Sequence, residues 1–268
     1  FNFTKKSDFI AIAKNLNFDS EAAYQSAQQM VEYRKKKTPI PDGNHIIRLE
    51  RKWYRSILTE PDYMVYSDPY YLCDLWSCWI LYSRESVKTL TRPKSAISKS
   101  VVDHFGKVQT VLDVGCGIGL TTAGLKEIFP QAAVYGTNLP DTFQYDIAAE
   151  IADRKGFEMI AESELSTTLG KIDVLFASEY FEHITNPVEH AYDLIRCHRP
   201  RFVVTANGFN GDSIGHFNEY SHLGKRLSDK QMSRFFNKAM RGWGYKRVET
   251  KIWNNRPMVW ERRGLGRR

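Results

Sequence analysis

Cysteine is scarce in this 268-residue chain: Cys73, Cys78, Cys116 and Cys197, with no C-x-x-C spacing among them. That argues against a disulfide framework and for a reduced, cytoplasmic protein. Long hydrophobic runs are also missing. The most aromatic stretch, YLCDLWSCWILYS at 71–83, is too short to span a bilayer and carries Asp74, so no membrane span is expected. The N-terminal segment FNFTKKSDFI has no apolar secretory core. Internal repeats and low-complexity segments are absent. What remains is the composition of a globular protein, 42% hydrophobic and 26% charged, long enough for one large α/β domain with an extension or for two small domains.

The net charge of +7 is unevenly spread: residues 1–60 carry +4, 61–110 carry +1, 111–200 carry −8 and 201–268 carry +10. Basic ends around an acidic middle admit two readings, an anionic partner near the termini or solvated helix faces with an arginine-rich tail.

Residues 1–60 have a polar, helical character broken at TPIPDGN (38–44), and SEAAYQSAQQMVEYRKKK (20–37) predicts a helix with Ser20 as its cap and RKKK complementing its C-terminal dipole. In 61–92, the spacing of Trp76, Trp79 and Ile80, and of Leu75, Trp79 and Tyr82, predicts a helix with a wide apolar face. That face packs a core, lines a substrate cavity or stacks on bases. SDPYY (67–71) reads as the turn that opens it; a resemblance to the D-P-P-Y motif of amino-methylating DNA enzymes lacks the second proline and a preceding strand. From residue 108 apolar strands alternate with amphipathic helices: strands at 110–114, 132–137, 157–161, 172–178 and 201–206, helices near 121–129, 142–155, 187–197 and 228–240, then YKRVETKIW (245–253) and PMVWERR (257–263) separated by NNR. The alternation predicts a doubly wound parallel sheet closed by an antiparallel pair at one edge.

VLDVGCGIGL (111–120) runs a buried strand into three glycines, which let the backbone turn sharply and approach a ligand. The spacing is G-x-G-x-G rather than the dinucleotide G-x-G-x-x-G. Asp113, Gly115, Gly117 and Gly119 resemble motif I of class I S-adenosylmethionine (SAM) methyltransferases, written DxGxGxG. The resemblance implies an α/β, Rossmann-like seven-stranded sheet and SAM as donor, with the glycines against its methionine part and Asp113 positioning its amino group. It also implies that Asn138 stands where an acidic residue usually holds the ribose hydroxyls, with Asp141 as a substitute, and that Glu162 meets the adenine amino group. The resemblance likewise implies that Cys116, Leu139, Ser163 and Ser178 fall beside the donor.

ASEYFEHI (177–184) then brings Glu179, Glu182 and His183 together; in a helical turn their side chains share one face, where two carboxylates repel unless a cation lies between them. With T-A-N (205–207) and H-F-N-E-Y-S (216–221), E-Y-F-E-H resembles the E-x-x-E-H, T-P-N and H-x-F-E-W-[ST] pattern of Hen-type RNA ribose 2′-O-methyltransferases. The E-x-x-E-H part also resembles ubiquinone-biosynthesis O-methyltransferases. Ala206 and Asn218 depart from the RNA pattern. The resemblance implies a divalent metal, Mn²⁺ or Mg²⁺, held by Glu179, Glu182, His183 and His216, and methyl transfer to a hydroxyl. The alternative is that these residues cap or pair without a metal, as in metal-free relatives. The expected acceptor is a small molecule; the rival is a nucleic acid, and an inactive binding protein is a third reading. His190 and His198 are expected to be bystanders on a surface helix. Three segments are expected: a helical extension over 1–105 that shapes the acceptor site, a SAM-binding domain over 106–263, and a basic tail, 264–268. The sequence does not set the oligomeric state.

Overall fold

The computed structural model describes residues 3–92, 100–209, 213–249 and 257–264. The first part is helical: α1 (Lys6–Ala13), α2 (Ser20–Lys36), α3 (His45–Ser56), a 3₁₀ turn (Tyr63–Ser67), α4 (Tyr71–Cys78), α5 (Arg84–Thr91) and α6 (Val101–Phe105). The sheet then forms from β1 (Thr110–Asp113), β2 (Ala133–Asn138), β3 (Glu158–Ala161), β4 (Val174–Ser178) and β5 (Phe202–Ala206). Helices α7 (Leu120–Ile128), α8 (Phe143–Lys155), α9 (Leu165–Thr168) and α10 (Pro187–His198) connect them. A hairpin, β6 (Glu219–His222) and β7 (Lys225–Ser228), precedes α11 (Asp229–Gly242), β8 (Tyr245–Val248) and β9 (Met258–Arg262).

The seven-stranded sheet has the order β3-β2-β1-β4-β5-β9-β8. Strands β1 to β5 are mutually parallel, and β9 runs antiparallel to both β5 and β8. This is the Rossmann-like methyltransferase architecture with the closing antiparallel pair that the sequence predicted. Its central strands bury both faces, as VLFAS of β4 and FVVTA of β5 do throughout, because helices cover the sheet on each side. Chain order reverses between β1 and β4, so the loops after those two strands diverge and open a crevice at their carboxyl ends.

Several boundaries differ from the sequence reading. Asp19, not Ser20, caps α2, accepting from the N–H groups of Glu21 and Ala22. The strand expected at 245–253 is described only to Val248; residues 250–253 and the NNR turn lie outside the described residues, as do 265–268 of the tail. The β6–β7 hairpin carries no alternating apolar signal and was not expected; its turn uses Leu223 (φ 47°) and Gly224 (φ 74°), the double positive-φ geometry of a tight hairpin.

The aromatic helix is real. Between α4 and α5 the ladder passes through one π turn, Trp79–Ser83, a local widening found often beside functional sites. Trp76 and Trp79 are buried, and a single apolar cluster runs from Phe9 through Trp53 and Trp76 to Phe176 and Trp260. The expected extension therefore shares its core with the sheet. Hydrogen bonds stitch them, among them Trp53 Nε1 to the carbonyl of His216 (2.7 Å), Gln144 Nε2 to the carbonyl of Tyr66 (3.1 Å) and Arg201 Nη2 to the carbonyl of Phe105 (2.7 Å).

Candidate active site

The loop after β1 turns through Gly115 (φ 63°), Gly117 (φ 55°) and Gly119 (φ 80°). Thr137 of β2 holds it, its hydroxyl accepting from the Gly115 N–H (3.2 Å) and its carbonyl from the Cys116 N–H (2.9 Å). Asp113 is buried below, its Oδ2 accepting from the hydroxyls of Thr121 (2.6 Å) and Thr122 (2.7 Å) at the start of α7. Burial pushes its carboxyl up to about 7 against those two hydrogen bonds. A raised folded-state pKa means the native form holds the proton more tightly than the unfolded chain does. Stability should therefore fall as pH rises from about 4 to about 7 and then level. The slope should be missing from Asp113→Asn in urea unfolding followed across that window.

Asn138 is buried at the end of β2 with its amide turned to the loop: Nδ2 donates to the Gly117 carbonyl (2.8 Å) and Oδ1 accepts from the Leu139 N–H (2.8 Å). It thus braces the glycine turn. Leu139 is half exposed beside it, and Asp141 is exposed with a positive φ of 59°. Glu162 and Ser163 form the short 3₁₀ turn after β3. Glu162 already has a partner that the sequence did not announce: Oε1 accepts from the Tyr180 hydroxyl (2.6 Å), which also meets His190 Nε2 (2.8 Å). His190 is no bystander, and His198 is buried with Nδ1 on the Gly170 carbonyl (3.1 Å). The Tyr180 ring packs against Gly115, in the space a Cβ there would need. Tyr180→Phe keeps the ring and loses both hydrogen bonds, so urea unfolding should show a loss of about 1 kcal/mol per bond.

The ASEYFEHI stretch leaves β4 through Glu179 in a left-handed conformation (φ 53°) and makes one 3₁₀ turn, Phe181–His183. The expected helical face does not form; the left-handed step brings the carboxylates together instead. One ligand atom from each of Glu179, Glu182 and His216 lies within 4.8 Å of the others. His183 stands outside that trio: its ring meets the His216 ring edge-on at 4.9 Å and its Nδ1 meets the Tyr66 hydroxyl at 3.1 Å. Burial, then the neighbouring His216, holds His183 well below the usual imidazole range, so it is neutral at neutral pH. Glu182 is fully buried; Oε1 accepts from the Gly208 N–H (2.7 Å), and Oε2 has no hydrogen-bond partner among the described residues. Buried carboxylate oxygens are rarely left so. A cation between Glu179, Glu182 and His216 fits that oxygen and the donor set. Asn207 of T-A-N is also buried, with both amide atoms unpartnered among the described residues.

A cavity of about 580 Å³ joins the two halves. Gly115, Cys116, Gly117 and Ser178 line it together with Glu179, His183 and His216 and with Arg34, Asp74, Tyr54 and Tyr82 from the N-terminal helices. Arg34 was expected at a solvated helix end; it points inward instead. Tyr66, Tyr180 and Arg34 were not legible as site residues. The lone charge in an aromatic run, Asp74, was the one available signal.

Residues 112–203, from β1 into β5, match the methyltransferase-domain family. No curated protein matches the chain. In overall shape the chain resembles an O-methyltransferase family protein from Burkholderia thailandensis, at 12% identity and TM-score 0.52, over 96% of this chain and 73% of that one. The mitomycin 7-O-methyltransferase MmcR has 10% identity and TM-score 0.49, over 97% and 72%. The family match over 112–203 and the sheet order together define the class: the chain carries a methyltransferase domain of the Rossmann-like fold.

Proposed function

We propose that the enzyme transfers the SAM methyl group to a hydroxyl of a small-molecule acceptor held in the 580 Å³ cavity. The observation that carries this reading is the continuity of that cavity from the Gly115–Gly117 turn to Glu179, His183 and His216. An acceptor oxygen there meets the methyl carbon from the side opposite the sulfur. The C–O bond forms as the C–S bond breaks, sulfur keeps the electron pair, and the hydroxyl proton passes to a base of the cluster. The chain's contribution is to orient both partners and exclude water beneath the N-terminal helices.

Glu179, Glu182 and His216 would hold a divalent cation, with His183 beside them. Such an ion lowers the pKa of a hydroxyl bound to it, and an oxygen-rich set with one imidazole suits Mn²⁺ or Mg²⁺. The orphaned Glu182 Oε2 supports this reading.

Transfer of label from methyl-labelled SAM to phenols, polyols and RNA tests both statements. With chelator, incorporation should fall at least about tenfold and return with Mn²⁺. Equal incorporation under chelation removes the ion from the reaction. Acceptor binding that weakens steeply with salt points instead to phosphate contacts and a nucleic acid.

A further inference from the structure

The wall that the N-terminal helices give the cavity has no role in the reaction above, and Arg34 and Asp74 make it polar. Asp74 on α4 is buried, and its Oδ1 has no hydrogen-bond partner among the described residues. Arg34 Nη2 stands 3.9 Å from that oxygen, too far for a hydrogen bond, and 3.5 Å from Glu50 Oε1. Arg34 Nη2 also reaches the Ser213 hydroxyl at 3.4 Å, and the Ser213 carbonyl accepts from the His216 N–H at 3.2 Å. The wall is therefore tied to the turn that carries His216.

An unpaired buried carboxylate oxygen is costly unless a ligand supplies a donor. The chemistry of that donor follows from the neighbours. An anionic group on Arg34 would face the carboxylates of Glu50 and Asp74. An ammonium on Asp74 would sit beside the Arg34 guanidinium. A neutral hydroxyl meets neither objection: it donates to Asp74 and can accept from Arg34. We propose that Asp74 and Arg34 form an acceptor-orienting subsite that selects a neutral polyhydroxylated molecule, one hydroxyl donating to Asp74 Oδ1 while another, to be methylated, faces Glu179 and His216. This assignment rests on the proposed function and names the acceptor class for it.

The test uses the full chain loaded with S-adenosylhomocysteine and titrates methyl β-D-glucopyranoside, myo-inositol and cyclohexanol by calorimetry. Both polyols should bind, and Asp74→Leu should weaken them by about 10- to 100-fold, the range of one hydrogen bond to a charged group. Cyclohexanol, with a single hydroxyl, should be indifferent to the change. Asp74→Asn is isosteric, keeps one oxygen acceptor and should lose several-fold, which covers a leucine variant that does not fold. Polyols that do not bind, or that bind both variants as they bind the native chain, overturn the assignment. The titration of S-adenosylhomocysteine itself separates the two claims. If it binds and cyclohexanol is methylated while polyols are refused, only the subsite fails; if it does not bind, both fail.

Discussion

Gly115→Ala should lose S-adenosylhomocysteine binding by about 30- to 4,000-fold while the fold persists. Two costs add at this position. A left-handed backbone costs an alanine about 1–2 kcal/mol. A Cβ would also run into Cδ2 of Tyr180 and stand 2.6 Å from its Cε2, and overpacking of that kind costs about 1–3 kcal/mol. Tyr180 cannot swing aside cheaply, since Glu162 and His190 hold its hydroxyl from two sides. The loop must move instead, and at about 1.4 kcal/mol per factor of ten the sum gives the stated range. Calorimetric titration reads it, with circular dichroism to show the fold intact. Gly43→Ala is the control, because a Cβ there meets nothing within 4 Å. The double variant Gly115→Ala/Tyr180→Ala should recover the steric part and leave the backbone part. Native affinity in the single variant would mean that the donor does not lie on this turn.

The second large effect belongs to Glu182→Gln, where activity and stability should move in opposite directions. Glutamine is isosteric and its oxygen can still accept from the Gly208 N–H. It removes a buried carboxylate whose second oxygen is unpartnered among the described residues, so the thermal midpoint should hold or rise. Methyl transfer should nevertheless fall by at least about 100-fold, the upper range seen when even the residues supporting a metal ligand are lost. Added Mn²⁺ should restore little of it. A variant as active as the native chain would show that Glu182 serves only to anchor the Gly208 loop. A variant that loses activity and stability together would point the same way, since a purely structural carboxylate behaves like that.

The local part of this molecule could be read from its residues. VLFAS and FVVTA, and TVLD up to its terminal Asp113, are buried strands because apolar residues dominate them, and their spacing fixes a doubly wound sheet. Gly115, Gly117 and Gly119 announce a backbone that no other residue adopts freely, and they are found with positive φ. The sequence put Glu179, Glu182 and His183 on one helical face and added His216 by resemblance; Glu179, Glu182 and His216 do converge, while His183 stands outside the trio. Their meeting depends on a left-handed Glu179 and a single 3₁₀ turn, not on a helical face. Glu162 and Asn138 were assigned to a ligand, yet both are engaged by protein groups, Tyr180 and the Gly117 loop.

By itself the sequence determined the strand and helix alternation, the glycine turn after β1 and the acidic cluster after β4, because each depends on the conformational freedom or polarity of residues close in the chain. Tertiary structure alone decided that Arg34 and Asp74 would share a wall with His216, that Tyr180 would lie on Gly115, and that His183 would turn toward Tyr66. Those contacts join residues separated by scores of positions, and they follow from how α2, α4 and the loop after β5 pack around one cavity. No local propensity encodes that arrangement.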